Sequence, residues 1–214
     1  MSAPVPPVSE SGRLISFEGG EGSGKSTQAA LCAERLGARL TREPGGTELG
    51  ERLRELVLGP AHDADVDVRT ETLLMLAARA QHVAEVVGPE LAGGRDVVTD
   101  RFSHSTLAYQ GYGRGLDLGE LRGLCTWAAA GLWPDVAVLI DVPAEVAAGR
   151  MSRPPDRMEG AGRDFHDRVR AGFHQLAAAE PDRWVVVDGV GPVEEVASRV
   201  AAGLATWTGA QGAA

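Results

Sequence analysis

Two glycines, a lysine and a serine near the start of the chain have a spacing that can bind phosphate. Gly19, Gly24, Lys25 and Ser26 form the pattern G-x-x-x-x-G-K-S between a predicted strand and a predicted helix. The glycines let the backbone curl, so that successive N–H groups and the helix N-terminus point at phosphate oxygens. Lys25 would then reach the β- and γ-phosphates of a nucleoside triphosphate, and the Ser26 hydroxyl would ligate Mg²⁺.

The basic residues of the chain support this interpretation over its alternative, a glycine-rich turn that contains a lysine by chance. Of the 21 lysines and arginines, twenty are arginine, and Lys25 is the single lysine. A planar guanidinium cannot replace a compact ammonium in a tight phosphate loop. A lysine kept at this position therefore indicates a chemical requirement.

Several arginines lie where predicted strands end, or in a segment rich in proline and glycine. Arg42 ends the second predicted strand, and Asp100 and Arg101 end the third. The segment 149–163 carries Arg150, Arg153, Arg157 and Arg163. A single arginine is usually a solvated surface charge, but a cluster at adjacent strand ends of an acidic protein indicates anion binding. We expect Arg42 and Arg101 to hold a second phosphate while the segment closes over the transferring one, as phosphoryl transfer requires.

Short apolar runs alternate with helical patterns, and this order predicts the fold. Five predicted strands cover residues 13–19, 38–43, 95–101, 135–142 and 183–189. Predicted helices cover residues 25–36, 46–59 and 69–91, with further helices to about residue 131. Nearly continuous apolar strands separated by helices predict a five-stranded parallel sheet, in an α/β doubly wound fold of the P-loop NTPase type. The ligand crevice should lie at the carboxyl ends of the strands.

Composition and charge limit the function classes. The chain has 214 residues and a formal net charge of −9, which argues against binding to nucleic acid or to an anionic membrane. No apolar run approaches the ~20 residues that span a bilayer, and Cys32 and Cys125 are expected to be reduced packing thiols. We predict a cytoplasmic protein with one domain at 13–207, a lid at about 150–163, a flexible arm at 1–12 and a flexible tail at 208–214.

Five stretches of the chain occur in an order that resembles a known enzyme family. They are EGGEGSGKSTQ, TREPGGTELGERLRELVL, ETLLMLAARAQHV, DRFSHSTLAYQGYGRGL and GLWPDVAVLIDVPAEVAAGR. This succession resembles the bacterial thymidylate kinase family from about Leu14 to Trp207. The resemblance implies transfer of the γ-phosphate of ATP to dTMP, with Mg²⁺, giving dTDP for dTTP and DNA synthesis. It also implies a short arginine-rich lid and a homodimer.

The resemblance assigns roles to individual residues. The ATP-binding positions are Gly19, Gly20, Glu21, Gly22, Ser23, Gly24, Lys25, Ser26 and Thr27. The dTMP-binding positions are Glu21, Arg42, Met75, Arg79, Arg101, Ser105, Tyr109 and Gln110. Within this second set, Arg42 and Arg101 would hold the phosphate of dTMP, Arg79 would hydrogen-bond thymine, and a tyrosine ring would exclude ribose. Ser26 and Asp100 are the positions expected at Mg²⁺.

The family places its catalytic arginine either in the phosphate loop or in the lid. Gly22 occupies the loop position here and the lid is rich in arginine, so the chain resembles the lid type. Arg153 is the first candidate for this role, followed by Arg150 and Arg157. Lys25 and Arg101 complete the predicted catalytic set.

Met75 departs from the family pattern, which usually presents an aromatic ring to thymine at this position. The residue could be core filler, or it could be the wall of the base pocket and make a softer sulfur contact. An enzyme acting on another pyrimidine deoxynucleotide or a specialised nucleotide is therefore the alternative substrate assignment. A nucleotide-binding module without turnover is the alternative class.

Overall fold

A computed structural model describes residues 11–59, 66–150 and 157–211 of the chain. Within them, five strands form one sheet in the order β2-β3-β1-β4-β5. The strands are β1 Leu14–Glu18, β2 Arg39–Arg42, β3 Val97–Asp100, β4 Val136–Asp141 and β5 Trp184–Asp188. Each neighbouring pair is parallel, which confirms the predicted α/β doubly wound architecture.

Helices follow the strands along the chain. They are α1 Lys25–Leu36, α2 Glu48–Leu58, α3 Val68–His82, α4 Gly88–Ala92, α5 Ser103–Thr106, α6 Leu118–Ala128, α7 Ala144–Arg150, α8 Arg163–Ala179 and α9 Val193–Gln211. Two π-helical segments, Val83–Val87 and Leu107–Gly113, follow α3 and α5. Short 3₁₀ turns at Glu159–Ala161 and Pro181–Arg183 precede α8 and β5.

The side chains of β4 show why the strands are apolar throughout. Val138 points to one face of the sheet and belongs to the same cluster as Val200 of α9. Leu139 points to the other face and belongs to the same cluster as Phe173 of α8. Because helices cover both faces, the first five positions of the strand, Val136 to Ile140, are all buried. Burying a large aliphatic side chain of this kind stabilises the fold by roughly 1.5–3 kcal/mol.

The carboxyl ends of three adjacent strands bring the predicted site together. β1 ends at Glu18, immediately before the phosphate loop begins at Gly19. The register of the sheet places Asp100, the last residue of β3, beside Phe17 of β1 and beside Arg42 of β2. The crevice predicted at this edge therefore contains both the loop and the strand-end arginines.

The helix predicted at residues 69–91 contains a widened turn. Regular α-helix ends at His82, and the π-helical segment follows before α4 begins at Gly88. Pro89 gives a physical reason, because it has no N–H to donate to the carbonyl four residues earlier and its ring crowds that turn. The N–H of Gly88 instead bonds to the carbonyl of Val83.

Parts of the predicted arm, lid and tail lie outside the described residues, namely 1–10, 151–156 with Arg153, and 212–214. Gly12, placed in the arm by the sequence, donates to the Leu91 carbonyl oxygen (2.9 Å). α9 continues to Gln211, so residues 208–211 are helical and not the loose tail predicted. Among the described residues, none of the helices is long and apolar enough to cross a bilayer.

Candidate active site

The phosphate-loop pattern lies between β1 and α1, as predicted. Gly22 and Gly24 have φ angles of 68° and 88°, which residues with a side chain rarely adopt. Gly22 is also limited by space, because a Cβ atom there would lie 2.4 Å from the carbonyl oxygen of Ala147 on α7. The helix that leads into the lid leaves no room for an arginine at position 22, and this supports a lid arginine.

Lys25 is buried beneath the loop, with 6% of its surface exposed. Its Nζ donates to the Gly20 carbonyl oxygen (3.2 Å) and lies 3.8 Å from Glu21 Oε2. Burial and the charge of Arg101 lower the pKa of Lys25, while Glu21 acts in the opposite direction. Because loop atoms enclose the ammonium, a larger guanidinium would displace them.

Arg101 joins the phosphate loop to a neighbouring cavity. Its guanidinium donates to the Gly19 carbonyl oxygen (3.1 Å), to Glu21 Oε1 (2.5 Å) and to the Tyr109 hydroxyl (3.0 Å). Burial alone would raise the pKa of Glu21, but the charges of Arg101 and Lys25 outweigh it and lower that pKa to about 2. Glu21 is therefore ionised at neutral pH and pairs with the cation between loop and cavity.

Most of the predicted dTMP-binding residues line this cavity. They are Glu21, Met75, Arg79, Arg101, Ser105, Tyr109 and Gln110. Met75 is only partly buried and forms part of the cavity wall, which favours the pocket interpretation over core filler. Phe102 and Pro44 add apolar surface to the same cavity.

Arg42 and Arg54 differ in their relation to the cavity. Arg42 ends β2, but its side chain is 54% exposed and donates to Glu51 (2.8 Å). Arg54 of α2, which the sequence analysis missed, lines the cavity and donates to the Pro44 carbonyl oxygen (2.8 Å). A search for basic residues at strand ends cannot find a helical arginine. Its sequence signal is its place in the stretch TREPGGTELGERLRELVL.

A buried polar network holds Arg79. Its Nε donates to Glu43 Oε2 (2.7 Å), and Glu43 Oε1 lies 3.0 Å from His82 Nδ1. His82 Nε2 lies 2.6 Å from the Thr41 hydroxyl oxygen. Arg79 also lies over the ring of Phe102, 5.3 Å from its centroid. Glu43 and His82 carry no local sequence signal for this role, because their partners lie far away along the chain.

Gln110 and Arg157 meet at another buried carboxylate, Glu71 of α3. Gln110 Nε2 donates to Glu71 Oε1 (2.8 Å), and Arg157 Nη1 lies 2.7 Å from Glu71 Oε2. Arg157 Nε also donates to the Val57 carbonyl oxygen (2.9 Å) in α2. These contacts differ from the catalytic role predicted for Arg157, because its guanidinium supports the cavity wall behind Gln110 and not the phosphate loop.

Arg150 at the end of α7 does reach the phosphate loop. Its Nη1 donates to the Ser23 carbonyl oxygen (3.1 Å) and its Nη2 to the Gly189 carbonyl oxygen (2.9 Å). Arg163, which was predicted to lie in the same segment, is 74% exposed and lies 3.4 Å from Glu145. Among the lid arginines within the described ranges, the contacts of Arg150 are those that fit a role at the transferring phosphate.

Ser26 and Asp100 form an oxygen pair beside the loop. The Ser26 hydroxyl donates to Asp100 Oδ2 (2.5 Å), and Asp100 Oδ1 is buried without a hydrogen bond from any described residue. A hydroxyl and a carboxylate are hard oxygen ligands of the kind that Mg²⁺ uses together with waters and substrate phosphates. The pair therefore fits a metal ion that arrives with a nucleotide.

Comparison with known proteins identifies the family. A family model described as thymidylate kinase matches residues 17–200. The chain belongs to the thymidylate kinase family. It is 50% identical over 192 residues to the thymidylate kinase of Synechococcus sp. (strain JA-2-3B'a(2-13)), a match that covers 87% of this chain and 91% of that relative. It is 48% identical over 184 residues to the thymidylate kinase of Chromobacterium violaceum, over 83% and 86% of the two chains.

A solved structure supports the same conclusion. The crystal structure of thymidylate kinase from Ehrlichia chaffeensis matches with a TM-score of 0.76 at 33% identity, over 91% of this chain and 99% of that one. Membership of the thymidylate kinase family confirms the reaction predicted from the sequence. The chain is an ATP-dependent kinase that phosphorylates dTMP to dTDP for DNA precursor synthesis.

Proposed function

We propose that the phosphate loop binds the triphosphate of ATP, that the adjoining cavity binds dTMP, and that Arg101 lies between the two phosphates. One observation carries this assignment: the guanidinium of Arg101 contacts a loop carbonyl and also Glu21, Ser105 and Tyr109 in the cavity. Two phosphates that react in line repel each other, so a preorganised cation between them lowers the barrier to transfer.

The donor side of the site is assigned to the loop residues Gly19 to Thr27. Their backbone N–H groups and Lys25 would stabilise the charge of the β- and γ-phosphates. Ser26 and Asp100 would hold Mg²⁺, which neutralises charge on the phosphate oxygens when bound. The buried Oδ1 of Asp100, which accepts no hydrogen bond within the described part of the chain, supports this assignment.

The acceptor side is assigned to the cavity. Arg101 and Arg54 would bind the phosphate of dTMP, and Arg42 would join them by exchanging its contact with Glu51. Arg79 and Gln110 would hydrogen-bond the base, because both are fixed by buried carboxylates and both face the cavity.

Closure over the transferring phosphoryl group is assigned to the lid, within a single domain at 13–207. Arg153 stays the first candidate for the arginine that meets charge in the transition state, and Arg150 is the second. The contact of Arg150 with the Ser23 carbonyl oxygen supports a lid that docks on the loop.

A homodimer is supported by apolar side chains that stay exposed on α2, α3 and α6. These are Leu49, Leu56, Leu73, Leu124 and Trp127. A second copy of the chain would bury this face, so sedimentation equilibrium should give the mass of a dimer, and Leu73→Glu should shift it toward a monomer. We place the enzyme in the cytoplasm, where free thiols such as Cys32 and Cys125 persist.

The substrate assignment is tested by a coupled ADP-release assay across dTMP, dUMP, dCMP, dGMP and UMP. Release should be fastest with dTMP. A higher rate with another pyrimidine nucleotide would favour the alternative substrate. Nucleotide binding without ADP release with any of the five monophosphates would favour a nucleotide-binding module that has no kinase activity.

A further inference from the structure

Glu18, the last residue of β1, is a buried carboxylate that no sequence motif singles out. Its side chain is 0% exposed, and each of its oxygens accepts one hydrogen bond. Oε1 accepts from the backbone N–H of Phe102 (3.0 Å), and Oε2 accepts from the hydroxyl of Ser105 (2.6 Å). Both donors lie in the segment that follows Arg101.

The bond to Ser105 fixes the direction of a second hydrogen bond. Ser105 Oγ lies 3.0 Å from Arg101 Nη1, and a guanidinium can only donate. The serine hydroxyl must therefore accept from Arg101, and its single hydrogen is directed to Glu18. The carboxylate thus controls whether Ser105 presents a lone pair or a hydrogen to the arginine.

The bond to Phe102 acts on the backbone of the same arginine. Arg101 has a φ of 73°, a left-handed conformation that costs a residue with a side chain on the order of 1–3 kcal/mol. Three hydrogen bonds enclose this turn. The N–H of Arg101 donates to the Phe17 carbonyl oxygen (2.9 Å), Thr99 Oγ1 donates to the Arg101 carbonyl oxygen (2.8 Å), and Phe102 donates to Glu18.

We propose that Glu18 is a positioning residue that holds Arg101, through the Ser105 hydroxyl, in the orientation that binds the phosphate of dTMP. The inference rests on the proposed role of Arg101 as the cation of the acceptor phosphate. Glu18 does not line the cavity, so its effect on Arg101 passes through its two hydrogen-bond partners, the Ser105 hydroxyl and the Phe102 N–H.

The role requires a carboxylate in particular. A carboxylate accepts at both oxygens, whereas a carboxylic acid or an amide must donate on one side. In Glu18→Gln, an amide hydrogen would face either Phe102 N–H or the Ser105 hydroxyl. In the second case the serine hydrogen would lose its acceptor, and the serine oxygen would face N–H donors from both the amide and Arg101, although the shape of the side chain is unchanged.

Protonation of Glu18 should have the same effect as the amide. Burial raises the pKa of Glu18 to about 7, although the hydrogen bonds from Ser105 and Phe102 and the positive charge of Arg101 act to lower it. The other charges that act on it are those of Lys25 and Arg79. The fraction of carboxylate should therefore rise with pH through neutrality, and affinity for dTMP should rise with it.

The test is steady-state kinetics of the full chain with Glu18→Gln. KM for dTMP should rise by about tenfold, the equivalent of one hydrogen bond to a charged group, while KM for ATP stays within about twofold. Asp96→Asn is the matched control. Its carboxylate accepts from Arg13 N–H (2.7 Å) just before β3 begins, at the opposite end of the strand, so KM for dTMP should not change.

Two further readouts separate positioning from a structural role. KM for dTMP should depend on pH near neutrality in the wild type. At each pH this KM is divided by the KM of Glu18→Gln, because the titration of the nucleotide phosphate at about pH 6 affects both proteins and cancels in the ratio. Glu18→Gln should also change KM for dTMP less in the Ser105→Ala background, because the connection through the Ser105 hydroxyl is then already removed and only the bond from Phe102 N–H is left. If Glu18→Gln does not fold, KM for dTMP is measured against pH in the wild type and in Ser105→Ala instead. The dependence near neutrality should be weaker in Ser105→Ala.

Specific outcomes would overturn the inference. An unchanged KM for dTMP in Glu18→Gln, or an equal effect of Glu18→Gln with and without Ser105, removes the positioning role. Arg101→Ala separates this from a failure of the proposed site. If Arg101→Ala raises KM for dTMP and Glu18→Gln does not, only the role of Glu18 is lost. If Arg101→Ala leaves that KM unchanged, the assignment of Arg101 fails as well.

Discussion

Nε of Arg79 lies 2.7 Å from Oε2 of Glu43, and both side chains are almost completely buried. The other oxygen of Glu43 lies 3.0 Å from His82, so the carboxylate is held from both sides. A guanidinium fixed through its Nε can direct its remaining N–H groups in one orientation. This relationship explains how an arginine in the cavity wall could recognise one edge of a base.

Glu43→Gln should therefore weaken the preference for thymine. The neutral amide removes a charge-assisted bond of about 1.5–3 kcal/mol, so the ratio of kcat/KM for dTMP over dCMP should fall about tenfold. Loss of a buried charge partner should also lower the free energy of unfolding in urea by up to about 3–5 kcal/mol. Glu180→Gln, which affects a half-exposed pair with Arg122, should change neither quantity. An unchanged substrate ratio in Glu43→Gln would contradict base recognition by Arg79.

Lys25→Ala should reduce kcat by on the order of 10²–10³, because it removes a preorganised charge from the transferring phosphoryl group. Lys25→Arg should fail as well, since the ammonium is enclosed by the Gly20 carbonyl and Glu21. Circular dichroism should show both variants to be folded. Near-normal turnover in Lys25→Arg would contradict the requirement for a lysine.

Replacing Arg157 and replacing Arg153 should have different effects, the first on stability and KM for dTMP and the second on kcat. Arg157→Ala leaves Glu71 without one of its cationic partners and should lower the free energy of unfolding by about 3 kcal/mol, with a higher KM for dTMP because Gln110 shares that carboxylate. Arg153→Ala should lower kcat with little change in KM for dTMP, as expected for a group that acts in the transition state. Thermal unfolding and initial rates measure the two effects. A pure kcat defect in Arg157→Ala would restore its predicted catalytic role.

The local elements of this fold could be predicted from the sequence, whereas its buried pairs could not. Each strand is a short apolar run, and the phosphate loop is a fixed spacing of glycines before Lys25, so both can be seen within a few residues. The pair of Glu43 and Arg79 spans 36 residues and depends on how α3 packs beside β2. The position of Arg54 could not be predicted for the same reason, because only the packing of α2 directs its side chain into the cavity.

Met75 allows a test of the cavity wall itself. The side chain is partly buried beside Arg79, and the phenylalanine ring of Met75→Phe should add a contact worth roughly 0.5–1.5 kcal/mol beyond its area. Affinity for dTMP, measured by calorimetry, should then rise by up to about tenfold. The gain will be smaller where the ring overpacks a cavity fitted to a thioether. Arg79→Ala provides the internal control, because it should reduce the preference for thymine whether residue 75 is methionine or phenylalanine. If Met75→Phe only loses stability and its base preference is unchanged, Met75 is a core residue. Phe102 or Tyr109 would then be the surface that contacts thymine.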